Sequence, residues 1–280
     1  NVGTATEAGN LVATDLRESR LEWEVEGQPA LRGALGPLAP RPADVTPVGR
    51  LTFRAPEVSH PLRLRLTLRL LQAEGTPAAE HVQELFVFPP CAAPDELRLY
   101  APELETPLRA LGYTLVDTLA AADLAVALTL TDALRAYLLA GGAVLWLAEN
   151  ADALQTHVGG VAIAPRRGSD WQGDWASSLS WICKDRLFSA LPTAGEVDFL
   201  FADLTPEQVI VGLSPRDFAV DVHAGLTVGW LHKTVGLIAE RRVGQTGRLL
   251  ISTFRLSARL AENPVAAWMF RDMIEGLRII

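Results

Sequence analysis

Two different spacings of apolar residues run along this chain, and the change from one to the other divides it. Through residues 1–92 apolar and polar positions alternate, as they do in strands with one buried face. In RLEWEVEG, Leu21, Trp23 and Val25 share a face. In VGRLTFRAP, Leu51 and Phe53 lie on one face and Val48, Arg50 and Thr52 on the other. PLRLRLTLRLLQ is the plainest case, with Leu62, Leu64, Leu66, Leu68 and Leu70 alternating with Arg63, Arg65, Thr67 and Arg69. It predicts a half-buried antiparallel strand with a solvated cationic face. EHVQELFVFPP ends the series, because Pro89 and Pro90 cannot continue a ladder.

From about Asp95 the pattern becomes strand, helix, strand. LRLYA predicts a short strand, and PELETPLRALG a helix stopped by Gly112. YTLVD and ADLAVAL follow as strands, the second apolar almost throughout, as a central parallel strand is. Thr131 or Asp132 caps the helix DALRAYLLAGG, and AVLWLAEN is another buried strand. Leu124, Val126, Leu128, Val144, Leu145 and Leu147 are the expected core of a parallel sheet. TVGLIAERRVGQTGRLLISTF predicts two strands around a Gly244–Gly247 turn, and Asn263-Pro264 opens a final helix. A Trp-, Asp- and Pro-rich insertion occupies about 160–230. The fold expected is an all-β immunoglobulin-like sandwich over 1–92, followed by a doubly wound α/β domain, flavodoxin-like or amidotransferase-like, over 93–280.

Charge narrows the class of partner. A net charge of −8 argues against nucleic-acid binding, which needs clustered cations. Arginine supplies nearly all the positive charge, Lys184 and Lys233 being the only lysines. Cys91 and Cys183 stand far apart and form no metal-ligand spacing. No run reaches the roughly 18 apolar residues of a membrane span, and no signal peptide opens the chain, so a soluble cytoplasmic protein is expected. The start at Asn1, without methionine, reads as an excised piece of something longer.

The chemistry is sparse. Open α/β sheets carry reactive groups beyond the carboxyl ends of their strands. The most promising such end is Leu147-Ala148-Glu149-Asn150, which has an acid in Glu149 but neither nucleophile nor glycine elbow. A lone carboxylate there reads first as a partner for a helix dipole. No cofactor loop is present, since the Gly244–Gly247 turn lacks the Lys-Ser/Thr of a phosphate loop. Asp221 and His223 could share a metal with His232 only if the chain brought them together, and their spacing does not dictate that.

The insertion holds the remaining candidates. SDWQGDWASSLSW packs Trp171, Trp175 and Trp181 beside Asp170 and Asp174. On a helix, Asp170/Asp174 and Trp171/Trp175 would each share a face with Cβ atoms roughly 5–6 Å apart. That spacing predicts an indole stripe continued by Ile182, with Trp175 and Trp181 largely buried, Trp171 most exposed, and the polar neighbours at its rim. Carboxylates beside indoles are also how sugars are held, so Asp170, Trp171, Asp174 and Trp175 are the candidate carbohydrate contacts.

The layout resembles the C-terminal region of glycoside hydrolase family 2 proteins, where an immunoglobulin-like sandwich follows the catalytic barrel. Some members then carry a domain similar to class I glutamine amidotransferases and to β-galactosidase trimerisation domains. VTPVGRLTFRAPEV, QELFVFP, GSDWQGDWASSLSW, VHAGLTVGWLHK and GQTGRLLISTFRL with NPVAAWMF carry the likeness. The family's catalytic glutamates belong to the barrel, which needs about 250 further residues. Glu149-Asn150 has the reverse of the family's Asn-Glu order, and the amidotransferase cysteine has no counterpart after Leu147. The resemblance therefore implies a non-catalytic accessory region that buttresses the parent's barrel, assembles homo-oligomers or walls the substrate site, with no cofactor. A carbohydrate-binding module using Trp171, Trp175 and Trp181 is the alternative, and an independent hydrolase using Glu149, Asp170 or Asp174 a third reading.

Overall fold

The computed structural model of the protein describes residues 3–5, 11–13, 16–40, 45–149, 157–158, 160–173, 177–185 and 187–278. It is sheet-rich with few helices, and it divides between Pro89 and Pro90, slightly before residue 92, into two compact units. Among the described residues no helix is long and apolar enough to cross a membrane.

The first unit is all-β. Strands β1 (Gly3–Ala5) and β2 (Leu11–Ala13) pair as a ribbon. Strands β3 (Ser19–Val25), β4 (Arg32–Leu38), β5 (Leu62–Leu71) and β6 (Pro77–Val87) form an antiparallel sheet in the order β4-β3-β5-β6. Leu64 and Leu66 of β5 and Val25 of β3 are buried on its apolar face, with Trp23 and Leu68 packed beside them. Trp23 lies over Gly33 of the neighbouring strand, where a Cβ would stand 2.9 Å from the indole Nε1.

One expectation for this unit is corrected. VGRLTFRAP forms no strand: the alternation that predicted one serves an extended segment, whose Leu51 and Phe53 join the core beneath the sheet. Phe53 stacks on Trp23 with ring centroids 5.7 Å apart. The arginine face of β5 is solvated, as expected, and its charges are paired. Antiparallel pairing sets glutamates of β3 and β6 beside it, so Arg63 meets Glu84 at 3.2 Å, and Arg69 meets both Glu24 and Glu80 at 2.7 Å. All these groups are well exposed, so each pair contributes only about 0–1 kcal/mol. Together they neutralise the stripe.

The second unit is built on five parallel strands. They are β7 (Arg98–Tyr100), β8 (Thr114–Leu115), β9 (Leu124–Ala127), β10 (Ala143–Leu147) and, far along the chain, β17 (Gly247–Ser252). Their spatial order is β8-β7-β9-β10-β17, or 2-1-3-4-5 when the five are numbered by sequence. Helices α1 (Glu105–Ala110), α2 (Asp132–Leu139) and α4 (Pro264–Arg278) connect or follow these strands. The Thr131 side chain accepts from Leu134 N–H at 3.3 Å, and Asn263 accepts from Val265 N–H at 2.8 Å, starting α2 and α4 respectively. Leu134 and Leu138 of α2 pack with Val144 and Trp146 of β10. The alternate residues Leu145 and Leu147 point to the opposite face and are fully buried. Of the expected core, only Leu128 is less than buried, because β9 ends just before it.

Between β10 and β17 the insertion extends the same sheet. Strands β11 (His157–Val158), β12 (Val161–Pro165), β13 (Ser178–Ile182), β14 (Gln208–Val211), β15 (Val222–Val228) and β16 (Lys233–Val243) are all antiparallel to their neighbours. The short helix α3 (Pro215–Val220) precedes β15. The long strand β16 forks the sheet: its first half pairs β15 and its second half pairs β17.

Candidate functional site

The carboxyl ends of the parallel strands are occupied by carboxylates that bind backbone. Glu103, just after β7, accepts from the N–H groups of Leu128 at 2.9 Å and Thr129 at 3.4 Å. Glu149, just after β10, accepts through Oε1 from Leu256 and Ser257 N–H, both at 2.8 Å. Its Oε2 accepts from the Ser257 hydroxyl at 2.7 Å. Ser257 opens a one-turn 3-10 helix, Ser257–Arg259, so Glu149 caps it from far upstream in sequence. Burial pushes the Glu149 carboxyl upward, while Ser257, Leu256 and Arg255 pull it back. A recess of about 210 Å³ lies here, lined by Leu128, Leu147, Glu149, Glu207, Arg255 and Ser257. That is below the roughly 300–1,000 Å³ of ordinary small-molecule sites. Arg255 pairs with Glu207 at 3.1 Å.

The second place is the turn carrying Trp171. Here the expectation of a helical stripe is corrected. Asp170–Gln172 is a single 3-10 turn, Gly173 takes a left-handed φ of 71°, and the chain re-emerges as β13. A Cβ at Gly173 would stand 2.5 Å from Ser178 Oγ, so this glycine is needed for the close approach as well as for φ. Asp174 and Trp175 lie outside the described residues. Trp171 and Trp181 are both half-buried, and Asp170 is exposed. Trp181 packs against the core of the sheet, as expected of a largely buried indole, with its ring over Gly225 of β15.

The Trp171 turn is held by groups whose role the sequence did not reveal. Arg166, largely removed from water, donates to the carbonyls of Pro206 at 3.0 Å, Trp171 at 3.4 Å and Gln172 at 3.5 Å. Burial lowers its affinity for a proton below that of ordinary arginine. The Ser169 hydroxyl accepts from Trp171 N–H at 3.2 Å, and Gln172 Oε1 accepts from Gly168 N–H at 2.9 Å. Lys233 at the start of β16 places Nζ 6.0 Å from the Trp171 ring centroid, at the outer limit of a cation–π contact.

A further indole belongs to the same end of the β15–β16 hairpin. Trp230 sits in the turn Gly229–Leu231 and is 58% exposed. Gly229 N–H donates to Ser177 O at 2.9 Å, fixing that turn against the Trp-bearing loop. Its signal was present in VGWLHK, but a Trp after a strand reads equally well as a core residue.

The remaining candidates do not converge. His223 is buried in β15, whereas His232 is exposed beyond the following turn, roughly 20 Å of strand away at about 3.3 Å per residue. Asp221 faces Arg241 at 3.8 Å. Among the described residues no group of three His, Cys, Asp or Glu could hold a metal ion, and Cys91 and Cys183 form no disulfide. No family model matches the chain, and no curated protein matches it.

Proposed function

We propose that this chain is a non-catalytic accessory region of a family 2-like glycoside hydrolase, contributing support, assembly or a wall to a substrate site formed elsewhere. In this reading the first unit is immunoglobulin-like and the second is a flavodoxin-like or amidotransferase-like doubly wound domain. The 2-1-3-4-5 order of five parallel strands supports the second assignment. The observation that carries the functional reading is the state of Glu149. At the strand end where such a fold would place its chemistry, both carboxylate oxygens are occupied by backbone amides and a hydroxyl. Glu103 also accepts from backbone amides, through Oε2. Glu149 so engaged ties loops together, and three of its roughly four acceptor sites are already used within the chain. The partners implied are the parent's catalytic barrel and further copies of the chain.

The exposure of Trp230, together with half-buried Trp171 and exposed Asp170, favours carbohydrate binding as the second reading. Acrylamide quenching of the wild type, Trp171→Phe and Trp230→Phe, with and without neutral oligosaccharides, separates the two. The accessory reading expects the quenching assigned to these two indoles to be unchanged by sugar. Protection by millimolar sugar that is lost in either variant would favour the binding module.

A further inference from the structure

One buried polar cluster has no part in the proposal above. Asp272 on α4 lies with Arg271 and Glu275 of the same helix, Cys91 of the segment before β7, and Tyr113 after α1. Tyr113 is 5% exposed, and its hydroxyl has no hydrogen-bond partner among the described residues. Asp272 Oδ2 is likewise buried and unpartnered. Native interiors rarely leave two such atoms unsatisfied in one place. The carboxyl faces the insertion at the backbone N–H of Phe188, which favours its ionised form.

The segment that supplies this N–H is packed hard onto α4. Leu187, Phe188 and Leu191 are all buried. Phe188 has a left-handed φ of 63°, a conformation that a bulky residue keeps only when its surroundings impose it. Gly276, one helical turn after Asp272, permits the approach: a Cβ there would stand 2.3 Å from Leu187 Cδ2. A strained segment is thus held down by apolar packing, directly beside a buried carboxyl.

We propose that the docking of residues 187–191 on α4 is a proton-controlled latch, closed when Asp272 is protonated and readier to open when it is ionised. This does not rest on the accessory-region reading. Ionising Asp272 in place puts a charge in a buried site beside Glu275, with Arg271 already engaged by Glu275 at 3.0 Å. Opening the segment returns the carboxylate to water. Burial first, and Glu275 second, hold the Asp272 carboxyl up at about 7, against the pull of Arg271 and the Phe188 N–H. Burial also pushes the Cys91 thiol up to about 11 and the Tyr113 phenol above its ordinary value, so both stay neutral while Asp272 titrates. The docked state therefore retains a proton that the opened state releases near the ordinary carboxylate value. Opening becomes easier as pH rises from about 4 to about 7, and levels off above that.

The test is hydrogen exchange of the full chain at pH 5 and pH 8, expressed as protection factors so that the intrinsic pH dependence of exchange is removed. In the wild type, protection of the amides of 187–191 should fall roughly 10- to 100-fold between the two, by linkage, while amides of β10 change far less. Asp272→Asn keeps an acceptor for Phe188 N–H but cannot ionise, and should abolish the difference. The variant assigns the change to Asp272 rather than to any other group. A wild-type change below about threefold, or a full change persisting in Asp272→Asn, would overturn the latch. Should Asp272→Asn fold poorly, Asp272→Ser, which likewise cannot ionise, takes its place.

Discussion

At the scale of single residues, Glu149 distinguishes a reactive group from a structural one. The sequence places an acid at a strand end, and general principle makes that position interesting. Its three hydrogen bonds tie it to the turn at Leu256 and Ser257. Glu149→Ala would leave the Leu256 and Ser257 N–H groups without an acceptor in a partly buried place. The expected loss is about 1–3 kcal/mol in denaturant melts, the usual penalty for stranding buried donors. A loss within experimental error would mean that the turn at Ser257–Arg259 is capped by something else. Arg166 teaches a related lesson. Its guanidinium serves three carbonyls rather than an acid, and no spacing rule announces such a role.

At the scale of elements, legibility followed how strongly burial constrained each run. The alternation in β5 and the apolar runs of β9 and β10 were readable because ladder and core demand the same pattern. Strand β4 went unread: RGALGPL contains two glycines and a proline and buries little. The segment around Leu51 and Phe53 went the other way, since alternation also suits an extended segment that packs without pairing. The Trp-rich stretch departs from its apparent pattern for a third reason. Its i, i+4 spacing fits a helix, but Gly173 breaks the backbone and β13 takes its place by pairing with β15. The best-founded element is β10, whose Leu145 is fully buried on the face opposite Trp146. Leu145→Ala should cost about 2–5 kcal/mol, as core truncations do. Less than about 1 kcal/mol would show that the sheet's second face is not tightly packed.

For the whole molecule, the two units put their charge and their apolar surface to different uses. The first pairs the arginine face of β5 with glutamates from both neighbouring strands. The second spends its strand-end carboxylates on loop ties and presents indoles at the far end of an antiparallel extension. The candidate site was half legible: Asp170 and Trp171 stood out by composition, while Trp230, Lys233 and Arg166 became relevant only when the fold brought them to the same loop. The claim that organises these observations is that the chain performs no glycoside hydrolysis of its own. It is tested most directly by steady-state turnover of nitrophenyl galactoside, mannoside and glucuronide by the purified chain, alongside Glu149→Gln. The account predicts no turnover above the buffer rate for either protein. Turnover that survives repurification of the wild type and disappears in Glu149→Gln would contradict it.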